Sequence, residues 1–183
     1  MEPAAIARRR RPFLAPIWLA ALLVVIAAVG VFEVYQSAMT TTIVVVQPAE
    51  SALGSIQDAP LMLEGEQRAE HLAQLFGGTA APGRIVAIYA AATRRTQQTA
   101  APLAARLRIE PIVVPVEDVG GTVGRALSEH RGATVMVVSG AAWRLVEALT
   151  GATLAPPPAD DYGNIYIVSL PMVGSAGVVH LRY

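Results

Sequence analysis

The first apolar block of this 183-residue chain has no period at all: Phe13 to Phe32 reads FLAPIWLAALLVVIAAVGVF, without a single charge. At about 1.5 Å per residue, a helix of that length crosses a bilayer core. Beyond it the pattern changes. After a polar connection from Ser37 to Thr42, β-branched runs of strand length alternate with stretches of helical spacing. Strands are predicted at Thr42–Val46 (TIVVV), Arg84–Tyr89, Ile109–Val114, Thr134–Val138, Ile165–Leu170 and Val178–Tyr183, the last two separated by a turn near Gly174. Helices are predicted at Leu61–Phe76, Arg95–Leu107, Thr122–Arg131 and Trp143–Leu149. Unbroken apolar strands alternating with helices predict a three-layer α/β sandwich around a mostly parallel sheet. The expected organisation is a tail over residues 1–12, a membrane span over 13–33, a linker over 34–41 and one domain over 42–183.

Charge orients the span. Arg8, Arg9, Arg10 and Arg11 precede it and Glu33 follows it, so the positive-inside bias keeps the N-terminus cytoplasmic. The expectation is a single-pass protein of a bacterial-type inner (cytoplasmic) membrane, with the lipid bilayer as its first partner and the domain on the periplasmic or extracellular side. A cleaved signal peptide is the rival. The apolar run exceeds the usual h-region, and no A-x-A-like site precedes Tyr35-Gln36-Ser37-Ala38. A buried core helix would rarely be apolar on every face behind four arginines.

Composition then removes several functions. All 14 basic residues are arginine, and without the tail the domain is slightly acidic and has no basic stripe, so no nucleic-acid partner is expected. The absence of cysteine excludes disulfides and thiolate nucleophiles. No G-x-x-x-x-G-K-[ST] loop and no histidine pair at metal-ligand spacing occurs, so neither a cofactor nor a metal is expected. Gly120-Gly121-Thr122 reads as a turn and helix cap.

In parallel sheets, functional residues gather in loops at the C-terminal strand ends, here Gln47–Glu50, Ala90–Arg95 and Ser139–Ala142. The sequence Val46-Gln47-Pro48-Ala49-Glu50 there is similar to the V-R-H-A-E motif that ends the first strand of short histidine phosphatases, members of the phosphoglycerate-mutase-like superfamily. Leu61-Met62-Leu63-Glu64-Gly65-Glu66-Gln67-Arg68-Ala69 resembles the family's L-T-x-x-G-x-x-R-A. The stretch from Ile88 to Ala100 resembles its Y-A-S-x-x-x-R-T-x-x-T-A. Thr134–Trp143 stands where the family has V-L-V-V-G-H-S-N-T, and Asp161–Val168 looks like its Y-D-N-L-Y-V-V. The resemblance runs from Thr42 to Tyr183 and implies the phosphoglycerate mutase-like fold.

In that family the first histidine attacks a phosphoryl group, and two arginines with a second histidine hold the phosphate oxygens. The chemistry needs a free nitrogen lone pair and several positive donors. Here the nucleophile's position is Pro48, its arginine neighbour is Gln47 and the second histidine's position is Gly140, so only Arg95 remains of the four. By analogy with hydrolytic triads, losing the nucleophile costs about a millionfold in turnover. The resemblance with these replacements implies a pseudophosphatase, a binding or regulatory module, with a phosphorylated or anionic ligand or a membrane protein as further partner. His71, His130 and His180 fall outside the strand-end loops. Arg95 is the candidate anion-binding residue. The competing expectation is an altered hydrolase in which Arg95 works with water activated by Glu50 or Glu117, with Asp118 as a further acid/base candidate. A third makes the domain a structural head for a membrane assembly, with Ala20, Ala21, Ala27, Ala28 and Gly30 permitting close helix approach.

Overall fold

The computed structural model describes residues 15–51, 58–78, 83–158 and 161–183, and divides into two compact units, residues 1–35 and 36–183. In the first lies most of α1 (Ala15–Ala38), whose apolar side chains, among them Trp18, Leu23, Val31 and Phe32, are exposed. Among the described residues, no helix is long and apolar enough to cross a membrane. The side chains of α1 are described only from Ile17 to Phe32, so the expected span of 13–33 lies partly outside the described residues.

The second unit is a six-stranded sheet of β1 (Thr41–Val46), β2 (Ile85–Ala91), β3 (Ile112–Val114), β4 (Thr134–Val138), β5 (Asn164–Leu170) and β6 (Gly177–Arg182), in the order β3-β2-β4-β1-β5-β6. β3, β2, β4 and β1 are parallel; β5 pairs antiparallel with β1, and β6 antiparallel with β5. The helices are α2 (Leu63–Phe76), α3 (Arg94–Leu107), α4 (Val119–Glu129) and α5 (Ala142–Thr150).

Strand alternation divides the core in two. Val44, Val46, Ile88, Met136 and Val138 pack with Leu72 and Phe76 of α2 and Leu103 of α3. Ile43, Val45, Tyr89, Val135 and Val137 face the other way, toward Ala126 of α4 and Leu145 and Val146 of α5. The sheet is therefore covered on both faces, which is why β1 and β4 read as continuous apolar runs rather than alternating ones.

Most elements lie within two residues of their expected bounds at each end, and two starts differ by more. β3 begins at Ile112 because the preceding residues finish α3: Arg108 turns left-handed (φ 58°) and the Ile109 amide donates to the Ala104 carbonyl at 3.0 Å. α4 begins at Val119, taking in both glycines, because the Asp118 carboxylate accepts from the Gly121 amide at 2.9 Å and caps the helix.

Tyr183 packs partly against the first core layer, with its hydroxyl buried and without a partner among the described residues. Burial pushes its phenol well above the ordinary value. The neutral form is thus favoured in the folded state, and above the ordinary phenol value of about 10 the unfolded chain loses the proton first. Stability falls as pH rises through that region. Tyr183→Phe abolishes this share of the alkaline loss and changes neutral-pH stability by less than about 1 kcal/mol, since it removes only an unsatisfied hydroxyl. Unfolding midpoints from pH 8 to 11 check this, and parallel alkaline profiles for the two proteins would contradict it.

Candidate functional site

Three parallel strands deliver their loops to one place. β1 ends at Val46, β2 at Ala91 and β4 at Val138, and the Ser139 amide donates to the Val46 carbonyl at 3.0 Å, which draws two of these loops together. The cavity they form, about 310 Å³, is lined by Gln47 and Pro48 after β1, Arg95 in the first turn of α3, Gly140 after β4, Trp143 of α5, and Pro157, Pro158 and Tyr162 from the loop before β5. Gln47 and Pro48, Arg95, and Gly140, from three separate stretches of the sequence, are brought to one cavity.

Arg95 is half-buried, and its guanidinium has no anionic partner among the described residues. A Cβ built on Gly140 would lie 3.2 Å from Arg95 Nη2, so the guanidinium reaches across to the β4 loop. The main chain behind Arg95 is firmly held. Thr99 Oγ1 donates to the Arg95 carbonyl at 2.8 Å and accepts from the buried Ala49 amide at 3.1 Å, tying the start of α3 to the loop after β1. Pro48 itself is buried.

Gln47 is oriented from behind. Its Oε1 accepts from Asn164 Nδ2 at 2.8 Å, and the same Nδ2 donates to the Asp161 carbonyl at 3.1 Å. Asn164 Oδ1 lies 2.8 Å from His180 Nε2, and the His180 ring stacks on Tyr166 with centroids 4.6 Å apart. Asn164, by hydrogen bonding, and then Arg182 hold the Asp161 carboxyl below the usual carboxylate range.

The candidate carboxylates are engaged elsewhere. Glu50 forms a two-pronged pair with Arg68, Oε1 to Nη2 at 2.5 Å and Oε2 to Nε at 2.9 Å, and Arg68 Nη1 donates to the Tyr183 carbonyl at 2.6 Å. Asp118 caps α4 and meets Arg125 Nη2 at 3.4 Å. Glu117 is exposed. None of the three lines the cavity. Nor does a histidine: His71 is exposed on α2, His130 sits at the end of α4 with its ring edge-on to Tyr89, and His180 reaches Gln47 only through Asn164. Among the described residues no cluster of potential ligands is arranged to hold a metal ion.

Trp143, Pro157, Pro158, Tyr162 and Asn164 were not legible as site residues. The loop before β5 has no period, and the one signal available was its proline run.

Residues 45–116 match the model of the histidine phosphatase superfamily, branch 1. Among solved structures, the protein histidine phosphatase SixA complexed with tungstate superposes with a TM-score of 0.63 at 21% identity, over 77% of this chain and 96% of its own. Bacillus stearothermophilus YhfR gives 0.58 at 17%, over 76% and 95%, and mycobacterial glucosyl-3-phosphoglycerate phosphatase 0.55 at 15%, over 71% and 90%. No curated protein matches the chain.

Proposed function

We propose that this chain, whose residues 45–116 match the model of the histidine phosphatase superfamily, branch 1, carries a domain of that kind that is catalytically silent and serves as a binding or regulatory module. The observation that carries this reading is Pro48 in the cavity wall. Its ring is saturated hydrocarbon and its nitrogen is an amide, so it offers no lone pair to a phosphorus atom. Gln47 and Gly140 supply neither the charge nor the proton donor that the family's chemistry would use there. Among the described lining residues Arg95 alone carries a positive charge, and one guanidinium leaves a phosphoryl dianion short of compensation.

The altered-hydrolase reading needs a carboxylate beside the reacting water, and Glu50, Glu117 and Asp118 are each directed to other partners or to solvent. The module is held at a membrane by residues 13–33, a reading supported by the arginine cluster before them and by the exposed apolar side chains of α1. Its domain faces the periplasmic or extracellular side.

The test is release of phosphate from a generic phosphomonoester by the full chain in detergent, beside a Gln47→Arg, Pro48→His, Gly140→His variant. The native chain is expected to match the no-protein blank, and the variant to release phosphate at least tenfold faster. Room for the third change exists, because the atom nearest its Cβ is the mobile end of Arg95. Phosphate release by the native chain that disappears in Arg95→Ala overturns the proposal.

A further inference from the structure

The hydrogen bonds behind Gln47 fix the polarity of the cavity. The Asp161 carbonyl can only accept, so the Asn164 atom 3.1 Å from it is the amide nitrogen. That nitrogen also meets the Gln47 side chain at 2.8 Å, so the Gln47 atom there is the carbonyl oxygen. Asn164 Oδ1 is then an acceptor toward His180, and the Nε2 facing it carries a proton. With its oxygen turned toward Asn164, Gln47 presents its amide N–H₂ on the other side. Beside it stand the guanidinium of Arg95 and the hydrocarbon of Pro48, Pro157 and Pro158.

Among the described lining residues, Gln47 and Arg95 offer donors and no carboxylate stands beside Arg95 to neutralise it; Trp143, over whose ring the Arg144 guanidinium lies at 5.1 Å, lines the cavity as well. A flat guanidinium matches a planar carboxylate with two parallel N–H···O bonds. One positive charge balances one negative charge. A volume of about 310 Å³ admits a group larger than the carboxylate itself.

We propose that this cavity binds a small monocarboxylic acid bearing an aromatic or apolar group, its carboxylate on Arg95 and the Gln47 amide and its apolar part against Trp143 and the prolines. The proposal rests on the domain being catalytically silent and names the ligand class of that same site. Asn164 acts as a positioning residue, through the orientation it imposes on Gln47.

Calorimetric titration of the full chain in detergent with phenylacetate, acetate, phenyl phosphate and inorganic phosphate tests it. Phenylacetate is expected to bind at least tenfold more tightly than each of the other three. Arg95→Ala should weaken phenylacetate at least tenfold, and Trp143→Ala should bring it down to the level of acetate. Asn164→Asp turns the Gln47 amide round to face the new carboxylate and presents its oxygen to the cavity, so phenylacetate weakens while circular dichroism is unchanged. Should Asn164→Asp fail to fold, Gln47→Glu, which places a carboxylate opposite the ligand's, is expected to abolish binding.

Equal or tighter binding of phenyl phosphate or inorganic phosphate overturns the proposal, as does phenylacetate binding that survives Arg95→Ala. Failure of the silent-module reading is seen separately, as hydrolysis of phenyl phosphate. A chain that leaves phenyl phosphate intact and ignores phenylacetate defeats the ligand assignment alone.

Discussion

Arg68→Ala lowers the stability of the domain by about 3 kcal/mol, the larger of two effects that come from a single contact region. Its guanidinium spans the Glu50 carboxylate and the Tyr183 carbonyl, with the Arg68 and Glu50 side chains 29% and 18% exposed. Removing it leaves a mostly covered carboxylate and a main-chain carbonyl without their donor, and the loss of one partner costs more than the pair itself contributes. Arg68→Lys recovers only part, because an ammonium cannot form the two-pronged pair. Denaturant titration of the full chain in detergent, followed through Trp143, reads the shift in midpoint. A change below about 1 kcal/mol for Arg68→Ala would show that the strap is ornamental.

Gly65→Ala costs about 2–3 kcal/mol for a different reason. A Cβ there would stand 2.3 Å from the Glu50 carbonyl oxygen and 3.3 Å from its carbon and nitrogen, all main-chain atoms that cannot swing aside. The Glu50 carbonyl also accepts from the Met62 amide at 3.0 Å, so displacing it disturbs the start of α2. The same titration checks it. The double variant with Arg68→Ala is expected to cost less than the sum, since both act on Glu50. Strict additivity would mean that the two residues support the loop independently.

These two residues explain how the sequence could point to a fold so plainly and to a function so thinly. Gly65, Arg68 and Glu50 are three of the positions at which the chain resembles the histidine phosphatase motifs, and all three meet behind the loop that follows β1. The resemblance is thus carried in large part by residues that shape the loop, while Gln47, Pro48 and Gly140, which line the cavity with Arg95, differ from those motifs. The strands were legible because both faces of β1 and β4 are covered, leaving runs of valine with few competing explanations. The start of β3 was not, because Ile109 is as apolar as a strand residue while serving to close a helix.

The cavity was half legible. Strand-end position identified Gln47, Pro48, Arg95 and Gly140, but the wall made by Trp143, Pro157, Pro158 and Tyr162 depends on how an aperiodic loop lies against α5. His180 falls in the last strand, outside the strand-end loops, so its position in the sequence does not point to the cavity. Only the β5–β6 pairing, which places Tyr166 opposite His180, lets it touch Asn164 and through it the cavity.

The strand order also has a consequence in time. β1 precedes the other five strands of its sheet in the chain, yet its two neighbours, β4 and β5, begin at Thr134 and Asn164. For most of the chain's elongation, a valine-rich segment therefore waits with both hydrogen-bonding edges open while β2, β3 and the intervening helices are made. Such long-range pairing slows folding and leaves a sticky, strand-prone segment exposed meanwhile. Both edges of β1 are covered within its own sheet only once Asn164–Leu170 is in place, when little of the domain is left to be made.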